Sequence, residues 1–369
     1  MNTKSLLLSK RVLAILLAFA LVCTGFSAAS AAAFANEAAG SIKASTTLIN
    51  ALDEEEGVEW DDDDVEWGDQ EDEEWGDQDD EDWGDEDDDI EWGDQDDDDW
   101  GYDVAEGEYL TEGGFTYFVD TEGSHIVDYK GASKKVVVPT RLGGANVVFV
   151  SLNNCKLTAL NVNACTALEE LYCENNKLTK LSVSNNKKLT GLYCGENKLT
   201  SLNVKNNKKL QHLFCYNNKL TKLDVTKNTK LIYLFCSGNK LKSLNVKKNT
   251  KLEYLGCDAN KLSALNVTKN TKLEYLGCAA NKLSTLNVSK NKNLEWLGCS
   301  YNKLTKLNVN KNKKLSALDC SYNKLKQLDI TKNKKLANLR CDKNYIKNTA
   351  KLKTWLKKKG HSGKVTPQR

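Results

Sequence analysis

The chain has 369 residues, and its net charge of +1 conceals a division: residues 36–129 hold 39 Asp and Glu against Lys43 alone, whereas residues 130–369 hold 48 Lys and Arg against 12 acids. Such a split points to charged partners, or to one half of the chain engaging the other. Only His125, His212 and His361 are present and no C-x-x-C pair occurs, which argues against a metal centre or a bound cofactor.

The N-terminal residues Lys4, Lys10 and Arg11 precede an apolar run from Val12 to Val22, and Ala33-Phe34-Ala35 forms an A-x-A cleavage site. Residues 1–35 therefore read as a secretory signal peptide, too short for a membrane span, with the mature chain starting near Asn36. The expected location is secreted or cell surface. Lipidation at Cys23 is disfavoured because bulky Val22 precedes it.

Residues 36–101 form an acidic low-complexity segment, and 31 of the 48 residues in 53–100 are Asp or Glu. Like charge at that density opposes collapse, so disorder is expected. Trp60, Trp67, Trp75, Trp83, Trp92 and Trp100 recur through it, five of them followed by glycine. Three readings stay open: a solvated spacer, loose divalent-cation binding without an EF-hand pattern, or a tail that engages a lysine-rich surface through charge and cation–π contacts.

From residue 102 to 150 a β cap is predicted. Phe115 to Val119 and Ser124 to Tyr129 alternate around a turn at Asp120 to Gly123, which predicts a hairpin. Val136-Val137-Val138-Pro139, the turn Gly143-Gly144 and Val147 to Leu152 follow.

Residues 151–347 repeat every 21 residues. Nine cysteines keep the period (Cys173, Cys194, Cys215, Cys236, Cys257, Cys278, Cys299, Cys320 and Cys341), each followed three residues later by an asparagine, Asn176 to Asn344. A fixed period of this length means a solenoid whose coils bury their apolar faces against one another. In the coil from Leu231 the inward positions are Leu231, Leu234, Cys236, Leu241, Leu244 and Val246, with Asn239 and Asn249 at two bends. Each half coil holds a short L-x-L/C/V run, so strands are expected on two sides. The fold class is a mainly β solenoid of about ten coils, near 50 Å long at about 4.8 Å per coil. Stacked cysteines one coil apart have parallel Cβ vectors, which favours a ladder of buried thiols over disulfides. In the first coil Leu152 takes the cysteine column, while Cys155 and Cys165 take the two asparagine columns. Residues 348–369 predict a C-terminal cap helix and tail, with Asn348 or Thr349 as cap, Gly360 as stop, and Leu352 and Trp355 as a lid on the last coil.

The run SHIVDYKGASKKVVVPTRLGG within Phe115–Leu152 resembles the opening segment of BspA-like bacterial surface leucine-rich-repeat proteins. The coils behind it resemble the 21-residue bacterial leucine-rich repeat of the IRREKO type, and together the two cover roughly residues 115–347. The resemblance implies a secreted or surface-bound protein that adheres or binds partners, and it brings no catalytic residues. The acidic tryptophan segment lies outside that pattern.

Three surface columns carry the binding candidates. Immediately before Cys sit Tyr172, Tyr193, Phe214 and Phe235, after which the column turns to Gly256, Gly277 and Gly298. Two residues earlier stand Tyr233, Tyr254, Tyr275 and Trp296. Both columns should face outward, either as a stacked ladder that stabilises the sheet or as a shallow groove floored by glycine for a sugar face or a peptide. The ligand-contact candidates are Tyr193, Phe214, Phe235, Tyr233, Tyr254, Tyr275 and Trp296. Lys177, Lys198, Lys219, Lys240, Lys261, Lys282, Lys303 and Lys324 form a rail beside the first bend, and Lys188 to Lys335 form another near the second. These rails read as solubilising charge or as a diffuse polyanion track. A polar column from Ser182 to Asp329 reads as a solvated sheet face without function.

No Ser-His-Asp, Cys-His or paired-carboxylate set stands out from the repeats, so an enzyme is not expected. The leading expectation is a non-enzymatic binding or adhesion protein contacting a protein or glycan on a host or bacterial surface. The alternative is a self-associating or self-masking matrix protein whose acidic tail pairs with the lysine-rich solenoid.

Overall fold

The computed structural model describes residues 109–347, 349–358 and 360–366. The signal peptide and the acidic tryptophan segment lie outside these residues.

The cap opens with β1 (Leu110–Glu112), β2 (Phe115–Val119) and β3 (Ser124–Tyr129), paired antiparallel in turn, so the expected hairpin is present with one extra strand. β4 (Lys135–Val137) follows, then β5 (Arg141–Leu142) and β6 (Ala145–Ser151) form a second hairpin. Gly143 and Gly144, at φ +54° and +78°, make its turn, a conformation that a side chain opposes. β3 pairs parallel to β6, which joins the cap to the solenoid sheet without an edge between them.

The solenoid contributes β7 (Ala159–Asn161), β8 (Glu170–Tyr172), β9 (Gly191–Tyr193), β10 (His212–Phe214), β11 (Tyr233–Phe235), β12 (Tyr254–Gly256), β13 (Tyr275–Gly277), β14 (Trp296–Gly298), β15 (Ala317–Asp319) and β16 (Asn338–Arg340). All but β7 stack in one parallel ladder whose register equals the repeat, as in Leu213↔Leu234 and Leu234↔Leu255. Helix α1 (Ala350–Leu356) then leads into β17 (Ser362–Lys364), which adds a final parallel strand to β16. Leu352 is buried, and Trp355 and Leu356 pack on the core, as expected of a lid. Gly360 lies at φ +80°, past the helix end.

The interior is one continuous column. Leu171, Cys173, Leu178 and their counterparts in every coil are fully buried, and the cysteines from Cys165 to Cys341 are free thiols with Cys155 half-buried. Burial pushes the Cys165 thiol up to about 11 and those of the inner ladder higher, so none of the ladder is a thiolate at neutral pH.

The second half of each coil is not a sheet, apart from the pair β4–β7. Side chains take the places a ladder would use. Asn207 donates from Nδ2 to the carbonyls of Val183 and Asn186 in the preceding coil, both at 2.8 Å, and the pattern recurs through Asn333. The polar column expected to be a solvated sheet face instead closes turns: Asp224 Oδ1 accepts from the Thr226 backbone N–H at 2.9 Å, and Asn266 from Thr268 at 3.1 Å. With those groups occupied, strands cannot pair on this side.

Candidate interaction surface

Sheet alternation sends Leu and Cys inward and leaves three columns on the outer face: three residues before each cysteine, one before, and one after. Rings in these columns stack across coils. From the cap, Phe118 stacks on His125 with centroids 4.6 Å apart, and His125 on Phe149 at 5.8 Å. The row continues through Phe149–Tyr172 at 5.3 Å, Tyr172–Tyr193 at 4.1 Å, Tyr193–Phe214 at 5.0 Å and Phe214–Phe235 at 5.1 Å. It crosses to the neighbouring column at Phe235–Tyr275 (6.2 Å) and ends on Trp296, stacked 4.3 Å from Tyr275. Tyr233 and Tyr254 stack beside it at 4.8 Å.

Stacking decides which rings are available. Tyr193, Phe214 and Phe235 are 3–4% exposed and Tyr275 is 9% exposed, so these four contact candidates mainly support the sheet. Tyr233, Tyr254 and Trp296 stay half-buried, with surface to offer. The glycine floor is also closed. A Cβ at Gly256 would lie 2.6 Å from Phe235 Cδ1, one at Gly277 would meet the Asp258 carboxylate, and one at Gly298 would strike the Trp296 ring. Glycine therefore lets the protein's own side chains lie flat on the sheet and leaves no empty groove there.

The lysine rail from Lys177 to Lys324 is exposed along its length. Its position follows from the bend: the Lys198 backbone N–H donates to the Leu178 carbonyl at 2.9 Å, and the bond repeats in each coil. The rail thus stands beside the sheet face rather than on it.

Charge on the sheet face itself runs the other way. Counting from four residues before each ladder cysteine to two after, these segments hold ten of the twelve acids of residues 130–369, against only Arg340 and Lys343. Glu253, Glu274 and Glu295 occupy one column on three consecutive coils at the margin of this face, immediately before β12, β13 and β14, and their backbones run in register, Glu274 N–H to Glu253 C=O at 2.9 Å and Glu295 to Glu274 at 2.8 Å. Tyr254 Oη lies 3.5 Å from Glu274 Oε2, and Tyr172 donates to Glu170 Oε2 at 2.8 Å. Burial raises the carboxyl pKa of Glu174 to about 7 and that of Asp258 to about 6, and it lowers that of His212 to about 4. The acidic column was readable at 21-residue spacing but is masked in composition by the lysines of the bends.

A second feature missed in the sequence is the position two residues after each cysteine, which is left-handed from Asn175 (φ 50°) to Lys343 (φ 55°). Asn and Gly suit it, but Tyr301 and Tyr322 occupy it in consecutive coils at φ 50° and 49°, a conformation that costs a bulky residue about 1 kcal/mol or more. Tyr301 is 54% exposed, and the two rings stack at 4.1 Å.

At the cap, a depression of about 490 Å³ is lined by Glu122, His125, Phe149, Glu169, Glu170 and Lys188, among others. Asp120, Glu122 and His125 bring ligand atoms within 4.8 Å of one another beside it. Asp120 Oδ1 already accepts from the backbone of Glu122 at 2.8 Å and of Gly123 at 3.1 Å, and pairs with His125 Nε2 at 3.0 Å. We assign this group to closing the hairpin turn.

No family model and no curated protein matches the chain. Among solved structures, an internalin, InlF, from Listeria monocytogenes superposes with a TM-score of 0.54 at 18% identity, over 62% of this chain and 76% of that one. A leucine-rich-repeat protein of Leptospira interrogans matches at 26% identity and a TM-score of 0.50, over 61% of this chain and 66% of that one. The fold is a leucine-rich-repeat solenoid. The functional domain of Listeria monocytogenes InlJ, which includes a cysteine ladder, is 44% identical over 50% of this chain and 41% of that one, with a TM-score of 0.49. This chain thus spans less than two thirds of the InlJ and Leptospira chains. No helix among the described residues of the leucine-rich-repeat solenoid is long and apolar enough to cross a membrane.

Proposed function

We propose that this is an exported, non-enzymatic binding protein that contacts a partner on a host or bacterial surface through the outer face of its solenoid sheet. The observation that carries the reading is the half-buried ring row Tyr233, Tyr254 and Trp296, held by stacking on rigid strands. Aromatic anchors fixed before contact lose little conformational entropy on binding. The likeness to leucine-rich-repeat proteins of Leptospira interrogans and Listeria monocytogenes supports a binding role. Binding of the full chain to arrayed surface proteins and glycans tests this. Trp296→Ala with Tyr254→Ala is expected to abolish capture, and undiminished capture would remove the sheet face from consideration.

The alternative, self-masking by the acidic segment, draws support from the opposed charges of residues 36–129 and 130–369. Because acids hold the sheet face, such a segment would engage the lysine rails. Removing residues 36–100 should then expose a salt-sensitive polyanion site on the bends, and an unchanged affinity for heparin would exclude that reading.

A further inference from the structure

The solenoid between residues 130 and 369 is strongly basic, yet its sheet face carries carboxylates on coil after coil and no lysine or arginine before Arg340. Glu253, Glu274 and Glu295 stand in register, one coil or about 4.8 Å apart, an arrangement that repels itself unless something cationic lies across it. Burial, with repulsion from Glu253 and Glu295, holds the Glu274 carboxyl above its ordinary range, although the charge of Lys314 and the Tyr254 hydrogen bond offset part of that rise. Beside the three glutamates lie the half-buried rings of Tyr254 and Trp296. Farther along the same face, Asp319 and Asp342 are 1% and 0% exposed. Asp319 Oδ2, both Asp342 oxygens and Ser300 Oγ have no hydrogen-bond partner there. The chain's own bases reach this end as well: Lys364 Nζ is 3.8 Å from Asp342, and the Arg340 charge partly offsets the burial that raises the Asp319 pKa.

We propose that the sheet face binds a basic polypeptide, with Glu253, Glu274 and Glu295 taking its lysine or arginine groups against the faces of Tyr254 and Trp296. This rests on the sheet-face reading above and names the partner's chemistry. A single metal ion or small amine does not fit the layout. The acids run from Glu169 to Asp342, eight coil steps or about 40 Å, and flank two sheet-face segments, residues 211–217 and 232–238, that carry no carboxylate and present the half-buried Ile232 and Tyr233. An apolar centre between charged ends is the anatomy of a protein interface. Carboxylate and ring together favour a cation over a neutral group. The lysine rails at the bends flank the face and confine a basic partner along the coil axis.

Carboxyl footprinting of the full chain with oligolysine as the probe tests this, because it reads each carboxylate separately and so discounts probe held by residues 53–100. Oligolysine is expected to reduce carbodiimide labelling of Glu253, Glu274 and Glu295 by about tenfold relative to Asp224 and Asp329 on the other side of the coil. The E253Q/E274Q/E295Q variant should lose the accompanying protection of Trp296 from oxidation. Equal protection of Asp224 and Glu274 would overturn the inference. So would capture of an uncharged partner that needs Trp296 but tolerates the three glutamine substitutions, which leaves the sheet-face reading standing. Capture that survives loss of both Trp296 and Tyr254 sinks the reading and the inference together.

Discussion

The two bends of each coil carry asparagine for different reasons. At the first, Asn239 donates from Nδ2 to the carbonyls of Cys215, Cys236 and Ser237, and its Oδ1 accepts the Leu220 backbone N–H at 2.9 Å. At the second, Asn249 donates to Val225 and Asn228 at 2.9 and 2.8 Å, while its Oδ1 has no partner. The first asparagine ties off the end of a sheet and uses its whole amide. The second replaces a sheet, and half of its amide suffices. Function follows the same division: the side with a backbone ladder is free to carry rings and carboxylates, and the side held by side chains is left to lysine and small polar residues.

The largest effect should come from breaking that difference. Asn239→Ala breaks four bonds and strands the buried Leu220 N–H, while the carbonyls of Cys215, Cys236 and Ser237 keep donors in Asn218, Asn260 and Asn217, and it should cost about 2–3 kcal/mol. Asn249→Ala gives up two bonds and also removes an oxygen that already lacked a donor, so about 1–2 kcal/mol is expected. Urea unfolding of both variants decides it, and equal losses would show that the two columns are interchangeable.

Next is the packing of rings on glycine. Gly256→Ala places a methyl 2.6 Å from Phe235 Cδ1, and overpacking of this kind costs about 1–3 kcal/mol. If the ring is the obstacle, Phe235→Leu in the same chain should recover most of the loss. Failure of that rescue would locate the strain in the backbone.

Much of the fold was legible because a solenoid writes its core once per period: Leu, Cys and Asn recur at 21-residue spacing and each proved to be inward or at a bend. The second sheet was misread because L-x-V looks like a strand whatever its polar neighbours do. Asp224 and Asn228 hold the turn and carbonyl groups there, and hydrogen bonds of that kind leave no hydrophobic signature. The ring columns were visible at 21-residue spacing, with ladder and groove both left open, but their extension through Phe118, His125 and Phe149 crosses a hairpin and has no fixed spacing. β17 was missed for the opposite reason, since Ser362-Gly363-Lys364 is polar and pairs only because β16 offers an open edge.

Titration gives a smaller effect that separates the sheet face from the bends. Burial raises the Glu174 pKa to about 7, so the folded chain holds this proton more tightly than the unfolded one. Its contribution is fully present below the ordinary glutamate range and is lost as pH rises through about 7, and Glu174→Gln should therefore stabilise the protein by about 1 kcal/mol at pH near 8 and by nothing near pH 4. His212 works in reverse. Its pKa is lowered to about 4, so its contribution is present above the ordinary histidine value and fades as pH falls through about 4. Melting temperature followed across pH, with each substitution flattening its own limb, checks both signs.

The smallest effect on stability belongs to the rails. Lys240, Lys261 and Lys282 are exposed side chains. Replacing all three by glutamine should change stability by less than about 0.5 kcal/mol. The same substitutions should still weaken heparin binding and reduce its salt dependence, since diffuse attraction scales with local charge. On the sheet face they should do the reverse, raising the affinity for oligolysine because a flanking repulsion has gone. Opposite shifts for the two polymers would show that rails and sheet face are separate electrostatic surfaces less than a coil's width apart. A common shift would mean that the solenoid presents a single averaged field, in which the carboxylates beside Tyr254 and Trp296 carry no local meaning.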